Sequence, residues 1–277
     1  EKILVIDFGS QYTQLIARRL RELSVYSEVC PWDEIPDLSA VKGFILSGGP
    51  ESSNIEGNPS IHQQIFDSKK PILGICYGMQ VLAHQEEGRI INEGKREFGY
   101  AKIDKKQDSV LFKNLDKSLD VWMSHGDKVE SLPDGYNITA VSNNSPVAAY
   151  ENVAKKYFGL QFHPEVTHTE SGTTIIRNFL EICDIEQNWS ADDILQQINA
   201  LVKTEVKDGE VLLALSGGVD STVLAAVLHK TLGNKLTCVM VDHGLLRKDE
   251  AINVVNNLKE KIGLCLLYTS PSPRDIS

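Results

Sequence analysis

Pro71-Ile72-Leu73-Gly74-Ile75-Cys76-Tyr77-Gly78-Met79-Gln80 is the stretch that decides the fold. Its first half, residues 71–75, is a short apolar run of the kind a buried strand uses. Residues 77–85 carry the pattern of a helix. A strand therefore passes into a helix with almost no loop, and Cys76 stands on the corner. Gly74 and Gly78 flank it, and residues without side-chain bulk let the backbone bend this sharply. The following helix points its first N–H groups at the sulfur, an arrangement that favours the thiolate.

The same rhythm extends outward. KILVIDFG near the start is a strand, and residues 11–23, with Leu15, Ile16, Arg19 and Leu20 at helical spacing, are a helix. Residues 41–46 form a strand broken by Ser47-Gly48-Gly49-Pro50, and residues 59–68 a helix. Strand and helix alternating through short turns imply an α/β fold: a mostly parallel sheet with helices on both faces, and ligands at the carboxyl ends of the strands. From 95 to 161 the pattern changes to short extended runs between turns, an antiparallel extension, followed by a helix at 175–183. This first domain spans 1–184. Residues 185–207 read as a linker with a helix that Ser190 caps and that runs to about Val202. Residues 208–264 hold two further β-α units, the start of a second parallel α/β nucleotide-binding domain. Two units cannot bury both faces of a sheet, so exposed apolar sheet surface is expected there. Residues 265–277, with two Ser-Pro steps and no periodicity, read as an atypical tail, a translated junction or else a divergent terminus.

With 277 residues, 42% hydrophobic and 24% charged, the chain is an ordinary globular protein of about two domains. No apolar run approaches the roughly 18 residues that cross a bilayer, so no membrane role is expected. The net charge is 28 − 38 = −10, which disfavours nucleic acid as a partner. Backbone N–H groups bind small phosphorylated ligands without basic side chains, so those stay open. The five cysteines include no CxxC pair, so neither a disulfide framework nor a zinc site is expected. The beginning lacks the pattern of a secretory signal, and the expected location is cytoplasmic.

Three features bear on Cys76. Gln161-Phe162-His163-Pro164-Glu165 follows a strand-like run, and on extended backbone residues i and i+2 face the same side. The Glu165 carboxylate is then placed to orient His163 as a general base. The Ser47–Pro50 turn offers backbone N–H groups for an oxyanion hole. Gln80, one turn along the helix from Cys76, suits a polar contact to substrate. Further on, Ser216-Gly217-Gly218-Val219-Asp220-Ser221 lies between an apolar strand and a helix, the makings of a phosphate cradle. It lacks the GK[ST] ending of a Walker loop. Asp220 is a plausible Mg²⁺ ligand, directly or through water.

FGSQY, SGGP, GICYGMQ, WMSHGD and HPE, in this order, resemble the class I glutamine amidotransferase domain. The resemblance implies that Cys76, His163 and Glu165 form a triad hydrolysing glutamine to glutamate and ammonia through a thioester. It implies that Gly49 and the Tyr77 amide form the oxyanion hole, and that Gln80, His125 and Asp127 contact glutamine. His125 as a plain surface-loop residue is the alternative. SGGVDS resembles the loop of N-type ATP pyrophosphatases, which holds the β- and γ-phosphates of ATP, and VDHGLLRK resembles a segment packing on adenine. Val241 is then an adenine contact, with ordinary core packing as the other reading. The two parts in this order resemble the glutamine-hydrolysing GMP synthetase family. That resemblance implies glutamine, XMP and ATP as substrates, Mg²⁺ as cofactor, domains that dock to shield ammonia, and a homodimer built by a further domain. It stops near Gly263. The chain by itself is then expected to keep the glutaminase half and the ATP loop but not to make GMP. Another glutamine-dependent ATP-pyrophosphatase ligase, or a non-catalytic glutamine- or nucleotide-sensing module, are the competing readings.

Overall fold

The computed structural model describes residues 1–50, 57–92, 97–241, 250–263 and 265–269. They fall into two compact units, Glu1–Trp189 and Ser190–Ser277. In chain order the first unit holds β1 (Lys2–Asp7), α1 (Thr13–Glu22), β2 (Ser27–Pro31), β3 (Val41–Leu46), α2 (Gln63–Asp67), β4 (Ile72–Ile75), α3 (Tyr77–Gln85) and β5 (Arg89–Ile91). It continues with β6 (Glu97–Lys105), β7 (Ser118–His125), β8 (Lys128–Ser131), β9 (Asn137–Ser142), β10 (Ala149–Asn152), β11 (Tyr157–Leu160) and α4 (Gly172–Ile182).

Nine strands form one sheet in the order β2-β1-β3-β4-β11-β10-β9-β6-β7. The first five run parallel, and β10, β9, β6 and β7 add the antiparallel extension. Successive residues of β1 show how the sheet is covered. Ile3 and Val5 join α1 (Ile16, Leu20) and α4 (Ile175, Phe179) in one core. Leu4 and Ile6 join α2 (Ile65) and α3 (Met79, Leu82) in the other. A strand buried on both faces is apolar at every position, which is why KILVID shows no alternation.

Helices α1 and α2 start later than expected for identifiable reasons. Residues 59–62 do not join α2, because the Gln85 side chain grips Ile61 at both backbone groups, accepting from its N–H at 2.7 Å and donating to its carbonyl at 3.0 Å. Residues 11–12 stay outside α1. There Ser10 Oγ accepts from Tyr12 N–H at 3.1 Å, and Asp7 accepts from Thr13 Oγ1 at 2.7 Å. Strand β2, which the sequence pattern does not mark, supplies the outer edge beside β1.

In the second unit, α5 (Ala191–Val206) starts at a Ser190–Asp193 capping box and runs a turn past the expected Val202. It is followed by β12 (Val211–Ala214), α6 (Val219–Leu232), β13 (Leu236–Val241), α7 (Glu250–Ile262) and β14 (Leu266–Thr269). The three strands form a parallel sheet, β12-β13-β14. Strand β14 lies in the stretch that reads from sequence as a tail. Leu236, Cys238, Met240, Leu258 and Leu266 pack together. Leu212 is 72% and Leu267 56% exposed, the apolar surface expected of so small a parallel sheet. Among the described residues no helix is long and apolar enough to cross a membrane.

The close approach of α3 to β3 sets where Cys76 sits. Gly78 N–H donates to Ser47 O at 3.0 Å, and a Cβ at Gly78 would stand 2.5 Å from Leu46 O. At an exposed helical position Gly→Ala gains about 1 kcal/mol. Here overpacking outweighs that gain, and Gly78→Ala is expected to destabilise the first unit by about 1–3 kcal/mol. Urea unfolding measures it, and a variant as stable as the parent would contradict the packing described.

Candidate active site

Parallel strands β1, β3, β4 and β11 end on one edge of the sheet, and each contributes a loop to the site. The strand order reverses at β1, whose two neighbours are β2 and β3. The loops after β1 and β3 therefore diverge and leave a crevice, as at the switch points of open α/β sheets. Ser47 ties the two loops together, accepting from Phe8 N–H at 3.0 Å and donating to Gly48 O at 2.8 Å.

Cys76 is both the last rung of the sheet and the first residue before a helix. Its N–H donates to Leu160 O at 2.7 Å, while its carbonyl accepts from Gln80 N–H at 3.2 Å. To serve both it adopts φ 52°, ψ −106°, a conformation unfavourable for a side-chain-bearing residue and typical of strained functional turns. Its side chain lies in the walls of two cavities of about 330 and 270 Å³ that share Gly49, Pro50 and Ser124. Tyr77, Gln80, His125 and Asp127 line the first, and His163 the second.

His163 and Glu165 meet as the i, i+2 spacing requires, with Nδ1 2.7 Å from Oε1. His163 N–H donates to Trp122 O at 3.0 Å, and its carbonyl accepts from Thr169 Oγ1 at 2.7 Å. Arg19 Nε donates to Glu165 O at 2.9 Å. Both side chains are buried, and among the described residues Glu165 Oε2 has no hydrogen-bond partner. Burial by itself lowers the His163 pKa. The Glu165 carboxylate, the hydrogen bonds to Cys76 and Glu165, and the attraction of Cys76 outweigh it and hold the imidazole well above its ordinary value. A cationic imidazole beside a sulfur is the setting in which a thiolate forms. Burial pushes the Cys30 thiol up to about 11 and raises those of Cys183 and Cys238. All five cysteines are free.

The expected glutamine contacts are tied into the protein as well. Gln80 Nε2 donates to Asp127 O at 2.7 Å and to Gln161 Oε1 at 3.3 Å. His125 is buried rather than a surface residue, with Nδ1 3.0 Å from Asp127 O and Nε2 3.2 Å from Glu97 Oε2. Burial lowers its pKa against the opposing pull of Glu97 and the Asp127 carbonyl. Asn92 Nδ2 donates to Asp127 Oδ1 at 2.6 Å. Sequence reasoning passed over Tyr12, whose ring stands edge-on to His163 at 5.1 Å between centroids, and Gln161, whose amide reaches the sulfur. The signal for Gln161 was present: it precedes His163 by two, the spacing that paired His163 with Glu165.

In the second unit, residues 216–221 turn from β12 into α6 at the carboxyl edge of the small sheet. Gly217 has φ +81°, which suits only glycine without strain. Ser216 Oγ lies 3.1 Å from Ser221 Oγ and accepts from Gly218 N–H at 3.3 Å. Ser216, Gly218, Val219 and Asp220 are exposed, with Asp220 on the first turn of α6. Val241, at the carboxyl end of the adjacent β13, is 48% exposed and not packed in the core. The rest of VDHGLLRK, residues 242–248, lies outside the described residues. Among the described residues no cluster of His, Cys, Asp or Glu is placed to hold a metal ion by itself.

A doubly wound sheet thus carries a cysteine on a strained strand–helix corner, backed by a His–Glu pair. Residues 4–183 match the family model of glutamine amidotransferase class-I, and the chain belongs to that family. Residues 190–270 match the PP-loop domain. The chain is 47% identical over 278 residues to "GMP synthase [glutamine-hydrolyzing]" of Vibrio vulnificus strain CMCP6, covering 99% of this chain and 54% of that protein. It is 48% identical over 283 residues to the protein of the same name from Xanthomonas axonopodis pv. citri, again 99% and 54%. It thus spans about half the length of these curated relatives. Among solved structures, a Thermoplasma acidophilum protein provisionally described as part of a GMP synthase matches with TM-score 0.59 and 33% identity, over 66% of this chain and 94% of that one. A Thermotoga maritima glutamine amidotransferase shares the fold at TM-score 0.51 and 20% identity, over 84% and 97%.

The geometry makes the charge of His163 depend on Glu165. Glu165→Gln removes the raising charge and leaves burial opposed mainly by Cys76. The His163 ring is then expected to lose its proton at lower pH. Ring-resonance titration by NMR reads this directly, and an unchanged titration would show that Glu165 does not set the charge.

Proposed function

We propose that the chain is the glutaminase half and the ATP loop of a cytoplasmic glutamine-hydrolysing GMP synthase. The observation that carries this is the succession, in one chain, of the Cys76–His163–Glu165 arrangement and a PP-loop, with 47–48% identity to proteins of that name. The Cys76 thiolate attacks the carboxamide carbon of glutamine. Backbone N–H groups of Gly49 and Tyr77 receive the developing oxyanion, while Gln80, His125 and Asp127 hold the amino acid. His163 delivers its proton to the departing nitrogen, the C–N bond breaks, and a glutamyl thioester remains. Water activated by His163 then releases glutamate.

In the second unit, residues 216–221 hold the β- and γ-phosphates of ATP and Val241 packs on its adenine. A xanthine oxygen of XMP attacks the α-phosphate and pyrophosphate leaves. Ammonia then displaces AMP to give GMP. One carboxylate beside a phosphate loop fits Mg²⁺, which keeps several waters and binds through few protein groups. Asp220 is the residue that would meet it, and when bound the ion would neutralise phosphate charge. The complete protein works as a homodimer.

The test is Cys76→Ala in the complete protein. Removing the nucleophile is expected to cut glutamine-dependent GMP formation by roughly a thousandfold or more, while GMP formation from ammonia, XMP and ATP stays near the parent level. Equal loss of both would show that Cys76 is not a separate ammonia source. No GMP from any nitrogen donor would point to another acceptor.

A further inference from the structure

Gln161 lies one residue past β11, fully buried, and nothing in the thioester chemistry above uses it. We infer that Gln161 is a positioning residue that holds an amide N–H against the Cys76 sulfur and so favours its thiolate. The inference rests on Cys76 being the nucleophile, but not on the identity of the acceptor.

Gln161 Nε2 stands 3.9 Å from Cys76 Sγ, and Gln161 Oε1 accepts from Gln80 Nε2 at 3.3 Å. Gln80 Nε2 also donates to Asp127 O at 2.7 Å, which fixes which way the Gln80 amide faces. With the Gln80 NH₂ turned toward it, Gln161 must present its oxygen there, since the reverse would set two NH₂ groups against each other. Its own NH₂ is therefore directed at the sulfur. The chain of constraint runs Asp127 carbonyl, Gln80 amide, Gln161 amide, Cys76.

Besides Gln161 and His163, the sulfur has a polar neighbour of opposite effect. Cys76 Sγ lies 3.4 Å from Ser124 O, an acceptor that suits the protonated thiol and repels a thiolate. Beside the donor of His163, Gln161 supplies an uncharged one, which the carbonyl cannot. The titratable groups around this point are His163, backed by Glu165; His125, backed by Glu97; Asp127; and Tyr12. Gln161 adds no charge to them, and removing its amide leaves their number unchanged.

Gln161→Met keeps the length and bulk of the side chain and removes both amide groups. The readout is the pH dependence of Cys76 alkylation by iodoacetamide, followed on the Cys76 peptide by mass spectrometry so that exposed Cys265 does not interfere. The alkylation midpoint of Gln161→Met is expected about one pH unit above the parent, and Gln161→Glu, which sets a carboxylate beside the sulfur, higher still. Glutaminase kcat is expected to fall roughly tenfold or more with KM nearly unchanged. If both variants fold and keep the parent midpoint, the inference is wrong. If Gln161→Met does not fold, Gln161→Glu decides alone. A parent whose folded Cys76 does not alkylate at any pH overturns the nucleophile assignment as well, so the two failures are distinguishable.

Discussion

The bend of the chain at Cys76 is the constraint on which the rest of the first unit depends. One residue must end a strand, through its N–H to Leu160 O at 2.7 Å, and begin a helix, through its carbonyl to Gln80 N–H at 3.2 Å. Cys76 does both at φ 52°, a region that side-chain-bearing residues seldom occupy. Such strain persists only where the surroundings over-determine it. They do so here because α3 is pressed onto β3 at Gly78, and β4 is locked between β3 and β11. The result is a sulfur raised above the carboxyl edge of the sheet, within reach of loops from four strands.

Charge then finishes what the backbone begins. The loop after β11 is tied at His163 and at Glu165 by Trp122, Thr169 and Arg19, so the imidazole has little freedom. Glu165 is wholly buried, and its negative charge acts on His163 with little screening by water. Burial alone would strip the proton from His163; the carboxylate and the sulfur reverse that outcome. At Cys183 burial is opposed only by the pull of Lys156, and the thiol is held above its ordinary value.

Much of this was legible in the sequence. The strand–helix corner at Cys76 and the pairing of His163 with Glu165 are consequences of chain geometry over two or three residues, and local pattern reports such things well. The contacts that were not foreseen join residues far apart in sequence. Gln80 to Asp127, Gln161 to Cys76 and Arg19 to Glu165 depend on which loops the sheet order brings together. The shortened α2 has the same origin: a distant side chain, Gln85, takes the backbone groups that a helix would use. Strand β2 escaped because SEVCP mixes polar and apolar residues at an outer edge of the sheet, where one-sided burial weakens the hydrophobic signal.

The central claim is that Cys76 carries the acyl group during turnover. Rapid acid quenching of the protein in the presence of isotopically labelled glutamine, followed by peptide mass spectrometry, tests it most directly. The account predicts a labelled glutamyl group on the Cys76 peptide alone, released by hydroxylamine as a thioester should be. Steady formation of glutamate with no adduct on Cys76, or with the label on another residue, would contradict it.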